Sequence, residues 1–353
     1  MIGENMARNA TNKSLKTAKA AKQDEFYTVL SDIEKELRHY RKHLVGKVVL
    51  CNCDDPRISN FFHYFSYNFE RLGLKRLITT CYRNQERDLF SKNESDHAIW
   101  LDYTGDKNGN NVPDVAEIGV QPLKGDGDFR SQECIDLLKQ SDVVVTNPPF
   151  SLFRDYVSQL VEHKKKFLVV GTWNAITYKE IFKLIKEDKL WIGINSNRNF
   201  SGFIVPAHYP LHGTEARIDE DGNRIISSNN TCWFTNMDNA KRHEPLILYR
   251  NYNEHDYPKY DNYEAIEVSS TNSIPMDYKG TMAVPITFLN KYNPEQFEIL
   301  GIMDRANSSG LRTKKYEKPE FPNANDLNAR GVLVQNGVHK AIYARLLIRN
   351  KQL

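Results

Sequence analysis

No run of apolar residues in the chain comes near the roughly 18 that a bilayer span requires; the longest, such as Phe167–Val170 and Leu346–Ile348, are a fraction of that. The opening residues lack the apolar stretch of a secretory leader, so a cytoplasmic location is expected. Cysteine is sparse and odd in number. Cys51 and Cys53 have no second close-spaced pair, and Cys81, Cys134 and Cys232 stand apart, so neither structural disulfides nor a zinc site is expected. HExxH and phosphate-cradling loops are missing, which leaves metal-assisted hydrolysis and ATP chemistry without support. The ten histidines are scattered and read as structural or surface residues. What is present is ample apolar material: 353 residues with 40% hydrophobic content can fill one large or two modest cores.

Charge is distributed unevenly. Residues 1–23 carry five Lys or Arg against Glu4, and residues 310–353 carry nine against Glu317, Glu320 and Asp326. With a net charge of +3 overall, these ends at +4 and +6 leave the body, 24–309, at −7. Basic ends on an acidic body suit a polyanion binder, although basic tails can also be merely solvated. Residues 1–23 have no apolar periodicity and are expected to form a flexible basic arm.

From Ser31 to His43 the positions Ile33, Leu37 and Tyr40 recur at helical spacing, with Ser31 as cap and Glu34 as its capping-box partner. Lys47–Cys51 reads as a buried strand, Ser59–Leu72 as an aromatic-rich helix and Arg76–Cys81 as a second strand. Residues 84–123 are turn-rich and read as an inserted hairpin. Strands at Asp142–Thr146 and Lys166–Gly171 follow, with helices at Ser131–Lys139, Leu152–Glu162 and Tyr178–Lys186. Continuous apolar strands alternating with helices predict an α/β fold, a doubly wound and mostly parallel sheet covered on both faces. After Trp191 the sequence turns to Asn-, Tyr- and Gly-rich segments with short strands at Thr231–Asn236 and Leu246–Tyr249, and the first domain is expected to close near residue 240, ahead of a more irregular region.

The stretch Thr146–Phe150, TNPPF, directly follows the apolar strand DVVVT. In an open parallel sheet the ligand crevice lies beyond the carboxyl ends of the strands, so this turn points into it. An exocyclic amine on an aromatic base is a poor nucleophile because its lone pair is delocalised into the ring. The Asn147 side-chain oxygen and the Pro148 carbonyl can each accept one N–H, pulling the amine toward tetrahedral geometry. Pro148 and Pro149 fix φ and hold the acceptors rigid, and Phe150 offers a face on which a planar base can stack.

TNPPF resembles the catalytic motif of S-adenosylmethionine-dependent amino-methyltransferases. Asp24–Thr28 (DEFYT), Val48–Arg83 and Val284–Gly301 further resemble the EcoRI-type adenine-specific DNA methyltransferases, and the similarity covers most of the chain from Asp24 onward. The resemblance implies a Rossmann-like methyltransferase domain over 24–240 and a C-terminal DNA-recognition region over 241–353. It implies S-adenosyl-L-methionine as cofactor, with Phe26 and Tyr27 near its methionine end and the turn Asn52–Pro56 around it. That turn departs from the usual pattern, having no glycine; Asp54 and Asp55 are there to hold the ammonium group or ribose hydroxyls, or simply to cap the next helix. In GDGDF, Asp128 and Phe129 match an adenine-binding pair, and Asn147 also faces the cofactor; a plain Gly-Asp turn is the alternative.

There is no Pro-Cys dipeptide, which argues against carbon-5 cytosine methylation. An adenine in a duplex must be flipped out of the stack to reach such a pocket. Phe200, Phe203 and Trp233 can supply a second aromatic wall or belong to the core. Asn195, Asn197, Arg198 and Asn199 form a polar cluster able to address base edges. The expected partners are double-stranded DNA and a cognate restriction endonuclease, with the enzyme acting as a monomer. The alternatives are an RNA or protein N-methyltransferase, or a catalytically silent DNA-binding protein.

Overall fold

The computed structural model describes residues 27–53, 59–81, 98–110, 113, 117–196, 200–205, 216–220, 222–226, 230–305 and 310–353. The chain divides into two compact units, Met1–Trp173 with Asn195–Met237, and Asn174–Ile194 with Asp238–Leu353. Residues 174–194, which the linear reading placed in the first domain, cluster with the second unit.

Strand β1 (Tyr27–Thr28) leads into α1 (Leu30–Leu37), which buries Ile33 and Leu37 completely. The helix starts one residue before the expected cap: Val29 occupies the N-cap, and no side chain caps it. Strand β2 (Val48–Asn52) is buried along its whole length, as its unbroken apolar run requires. The aromatic helix expected from Ser59 to Leu72 is two helices, α2 (Asn60–Tyr67) and α3 (Phe69–Leu72). Asn68 breaks it: its side-chain amide donates to the Tyr64 carbonyl at 2.7 Å, competing with the helix ladder. Phe61, Phe65, Phe69 and Leu72 nevertheless keep one buried face across the break.

Strand β3 (Arg76–Thr80) follows, then the antiparallel pair β4 (Ile99–Tyr103) and β5 (Gly119–Pro122), which is the expected hairpin. Helix α4 (Gln132–Gln140) is capped by Ser131, whose hydroxyl accepts from the Cys134 amide at 3.3 Å. Strand β6 (Val143–Thr146), helix α5 (Phe153–Glu162) and strand β7 (Lys166–Thr172) complete the succession. Helix α6 (Lys179–Lys186) lies in the second unit, and the chain returns to the first within β8 (Trp191–Ser196). Strands β9 (Phe203–Val205), β10 (Ala216–Ile218) and β11 (Arg224–Ile226) form with β1 an antiparallel sheet of order β1-β9-β11-β10. Strand β12 (Thr231–Thr235) then joins the large sheet.

That sheet has eight strands in the order β5-β4-β3-β2-β6-β7-β12-β8. It is mixed. Pairings β3–β2, β2–β6 and β6–β7 are parallel, whereas β3–β4, β4–β5 and β7–β12 are antiparallel. Parallel pairing needs a crossover between strands, which α2 and α3 supply before β3 and α5 supplies before β7; β4 and β5 are joined as a hairpin instead.

In the second unit, β13 (Ile266–Glu267), β14 (Met282–Pro285), β15 (Phe297–Ile302) and β18 (Arg345–Asn350) form a sheet of order β13-β14-β18-β15. Glu267 on β13 pairs with Arg345 on β18 at 2.8 Å. A short helix α7 (Ala324–Leu327) precedes a separate hairpin of β16 (Val332–Gln335) and β17 (Val338–Ala341). Leu246–Tyr249, expected as a strand, has no ladder: Ile247 is 82% exposed, and the Leu246 amide and carbonyl bond the Gln296 side chain instead. Among the described residues no helix is long and apolar enough to cross a membrane.

Candidate functional site

The strand order changes direction between β2 and β6. From β2 the chain moves outward to β3, then crosses back to lay β6 on the other side of β2. Such a switch point opens a crevice beyond the carboxyl ends of the two strands. Asn52 ends β2 there, and Thr146 ends β6, followed at once by Asn147, Pro148, Pro149 and Phe150. The two ends are tied directly: the Thr146 hydroxyl donates to the Asn52 carbonyl. Asn147 is 7% exposed, Pro148 is buried, and Pro149 and Phe150 are half-buried at the rim. Pro149, at φ −54°, starts the short 3-10 turn Phe150–Leu152 that runs into α5.

Helix α5 reaches back under the crevice. The Tyr156 hydroxyl donates to Asn52 Oδ1 from a fully buried position, and burial pushes its pKa well above the ordinary phenol value. Phe129 packs edge-on to Tyr156 with centroids 5.1 Å apart, and Gln159 Nε2 donates to the Phe129 carbonyl at 3.0 Å. A Tyr156→Phe variant is expected to lose about 1 kcal/mol of stability in urea unfolding, the usual worth of one buried hydrogen bond. An unchanged unfolding midpoint would show that Tyr156 does not hold Asn52.

The Asp128–Phe129 loop lies against the end of β3. Gly127, at φ +81°, comes so near Cys81 that a Cβ there would stand 2.9 Å from the Cys81 carbonyl carbon and 3.0 Å from Ala98 Cβ. Phe129 is 7% exposed. Asp128 is engaged by Arg130: the guanidinium donates through Nε at 2.9 Å and Nη2 at 2.6 Å, and the Arg130 amide donates at 2.8 Å. Those bonds hold the Asp128 carboxyl below its usual 3.8. The folded site therefore binds a proton more weakly than the unfolded chain, so its contribution is present above pH 3.8 and lost as pH falls through the lower folded value. Asp128→Asn is expected to flatten the acid limb of the stability–pH curve below about pH 4; an unchanged limb would show that the pair does not bear on folding.

Tyr27 on β1 is placed beside this crevice through β9. Tyr27 is opposite Ile204, and Thr28 is opposite Phe203, whose ring meets Phe150 edge-on at 5.8 Å. Asn60 Nδ2 donates to the Thr28 carbonyl at 2.8 Å, securing β1 to α2. Phe200, Phe203 and Trp233 are 5%, 2% and 0% exposed, which makes them core residues; Phe203 supports Phe150 from beneath. At the turn after β2, where glycine is the usual occupant, Cys53 adopts φ +87°. Phe26, Asp54 and Asp55 lie outside the described residues.

Of the polar cluster expected to address base edges, Asn197, Arg198 and Asn199 lie outside the described residues. Asn195 donates through both its backbone amide, at 2.7 Å, and its side-chain nitrogen, at 2.9 Å, to Glu36 Oε2 on α1. Glu36 is completely buried and also accepts from the Tyr40 hydroxyl. One helical turn earlier, Asp32 accepts from the Ser201 amide and hydroxyl at 2.6 and 2.7 Å. Burial raises the Asp32 pKa, against the pull of these hydrogen bonds. The periodicity of α1 places Asp32 and Glu36 on one face, but nothing in the sequence names partners more than 150 residues away. Tyr156 was likewise missed, because an aromatic on an amphipathic helix reads as core.

A family model described as "Adenine-specific methyltransferase EcoRI" matches residues 14–351. The chain is 53% identical over 350 residues to Type II methyltransferase M.EcoRI of Escherichia coli, covering 99% of each chain. It is 39% identical over 344 residues to Type II methyltransferase M.MpnI of Mycoplasma pneumoniae, covering 95% of this chain and 97% of that one. Type II methyltransferase M.MgeORF184P of Mycoplasma genitalium is 38% identical over the same length, with 95% and 98% covered. No solved structure gives a significant match. A match running almost from end to end, on a fold that sets Asn-Pro-Pro-Phe at the switch point of its sheet, places the chain in the EcoRI family of adenine-specific methyltransferases.

Proposed function

We propose that the protein transfers a methyl group from S-adenosyl-L-methionine to N6 of a flipped-out adenine in double-stranded DNA, as the modification partner of a Type II restriction endonuclease. The observation that carries this reading is the position of Asn147–Phe150 at the end of β6, tied through Thr146 to Asn52 at the end of β2. The relatives are named Type II methyltransferases, and the family is adenine-specific.

The residues present suit the cofactor. A carboxylate offers about four lone-pair sites, and the three bonds from Arg130 leave Asp128 Oδ2 room for one more donor, such as an adenine amino group. Phe129 supplies an adjoining ring, and Asn52 with Tyr27 lies toward the methionine end in this reading, joined there by Phe26, Asp54 and Asp55. When bound, the cofactor supplies an electrophilic methyl group. Asn147 Oδ1 and the Pro148 carbonyl accept the two N6 hydrogens and direct the nitrogen lone pair, Pro149 keeps the turn rigid, and Phe150 stacks on the base. No covalent intermediate is required.

In this reading residues 24–240 form a doubly wound, Rossmann-like methyltransferase domain. Residues 241–353 form a DNA-recognition region, residues 1–23 a basic arm, and the enzyme acts as a monomer. Asn195 secures one end of the segment 195–199, through which Asn197, Arg198 and Asn199 address base edges. The test is transfer of labelled methyl from S-adenosylmethionine to genomic duplex DNA, with N6-methyladenine mapped at base resolution. Label confined to adenine in one short sequence is expected. Cofactor binding without transfer to DNA would overturn the choice of substrate.

A further inference from the structure

The hairpin β16–β17 forms a sheet of its own: among the described residues its two strands pair only with each other. Its base is firmly anchored. Asn262, completely buried, accepts from the Val332 amide at 2.8 Å and donates to the Arg330 carbonyl at 2.8 Å, and the Asp261 amide donates to the Val332 carbonyl at 2.9 Å. Its tip is a tight Asn336–Gly337 turn with φ +50° and +74°, the positive-φ pair that matches strand twist and gives a hairpin a fixed end.

Cross-strand register sorts the side chains into two faces. Val334 pairs with His339 on the same face as Val332 and Ala341. The His339 ring meets Phe321 and Tyr316 at 4.9 and 5.7 Å, and Leu333, on the other face, is buried in a cluster with Tyr260, Tyr263 and Met303, so both faces are covered at the base of the hairpin, while Val334 at 46% exposure belongs to an open outer half. Gln335 pairs with Val338, and Lys340 with Leu333, on the opposite face. There Gln335 and Lys340 are exposed, and Val338 is 66% exposed.

The electrostatic setting favours a polyanion: residues 310–353 carry nine Lys or Arg against Glu317, Glu320 and Asp326, and Asp261, 3.6 Å from His339, is paired with Lys314 at 2.8 Å. From Leu327 to Leu353 there is no Asp or Glu, against Arg330, Lys340, Arg345, Arg349 and Lys351. Arg345 and Arg349 pair with Glu267 and Glu298, while Arg330 and Lys340 flank the hairpin as exposed cations. A two-stranded ribbon fits the major groove of B-DNA, and the exposed side chains Gln335, Val338 and Lys340 match the chemistry offered there. Glutamine can bond adenine N6 and N7 together, an apolar side chain can pack on a thymine methyl, and lysine can reach a phosphate or guanine.

We propose that β16–β17 enters the major groove of the substrate duplex and reads part of the recognition sequence through Gln335 and Val338, with Lys340 on the phosphate backbone. This rests on the duplex-DNA reading above and names an element within its recognition region. The test uses the full-length protein, two duplexes that differ by single base pairs in the mapped methylation site, and binding measured by fluorescence anisotropy across a salt series. For Gln335→Ala/Val338→Ser the ratio of site to off-site affinity is expected to fall by about tenfold or more. Off-site binding and S-adenosylmethionine binding should stay at wild-type values. Lys340→Ala should instead weaken both duplexes alike and lower the salt slope by about one.

Gln335→Glu, which keeps the side-chain size but cannot donate to a base acceptor, provides a second readout of specificity should the double variant lose all binding. A site-to-off-site ratio within twofold of wild type for Gln335→Glu or for the double variant would overturn the proposal. Wild-type protein that discriminates between the duplexes while the variants do so equally well would place recognition elsewhere and leave the methylation reading standing. Wild-type protein that methylates no duplex DNA would overturn both.

Discussion

An Asn147→Ala enzyme is expected, with S-adenosylmethionine and duplex DNA both saturating, to lose methyl transfer by about 10²- to 10³-fold, the usual effect of removing one preorganised transition-state contact. The side chain is nearly buried at the end of a strand that is itself buried throughout, so little about its position is left to chance. The strand that leads to it is paired with β2 and β7, and the Pro148–Pro149 turn follows it directly. An oxygen fixed in this way needs no reorganisation as the amine changes geometry, and its effect should fall on kcat more than on KM. Single-turnover transfer with saturating cofactor and duplex is the measurement. Wild-type turnover in the variant would remove Asn147 from the chemistry.

The second large effect is expected from Gly127→Val. A Cβ at this position meets the Cys81 carbonyl, which is backbone and cannot swing aside, and φ of +81° is poorly tolerated by a β-branched residue. The left-handed backbone alone costs about 1–2 kcal/mol; the clash adds to it. The easiest escape is for the loop to lift off the end of β3, carrying Asp128 and Phe129 away from Tyr156. Cofactor affinity should then fall by about tenfold or more, since each 1.4 kcal/mol is a factor of ten. Calorimetric titration with S-adenosylmethionine is the check, and wild-type affinity in a folded Gly127→Val protein would show that this loop does not contact the cofactor.

Much of this architecture is legible in the sequence. The strands at β2, β6 and β7 declared themselves as unbroken apolar runs, because a strand covered on both faces has no polar side to show. The Asn-Pro-Pro-Phe turn was legible for the same reason, since it follows such a strand directly. What the sequence could not show was pairing direction at the edges of the sheet, where β4, β5 and β12 run antiparallel with the same β-branched and aromatic vocabulary. Leu246–Tyr249 misled because apolar residues in an extended segment look alike whether or not a neighbour completes the ladder. The engagement of Asp128 by Arg130 was two residues away and still hidden, because charge spacing in a turn does not say which way a guanidinium folds.

The two carboxylates of α1 have a further implication. Asp32 and Glu36 grip Ser201 and Asn195, so a short span of chain is pinned at both ends to a helix far away in sequence. The entropy of bringing Asn195 and Ser201 onto this helix is settled when the unit folds. The two carboxylates thus make α1 answerable for where Asn195 and Ser201 stand, positions more than 150 residues away in sequence.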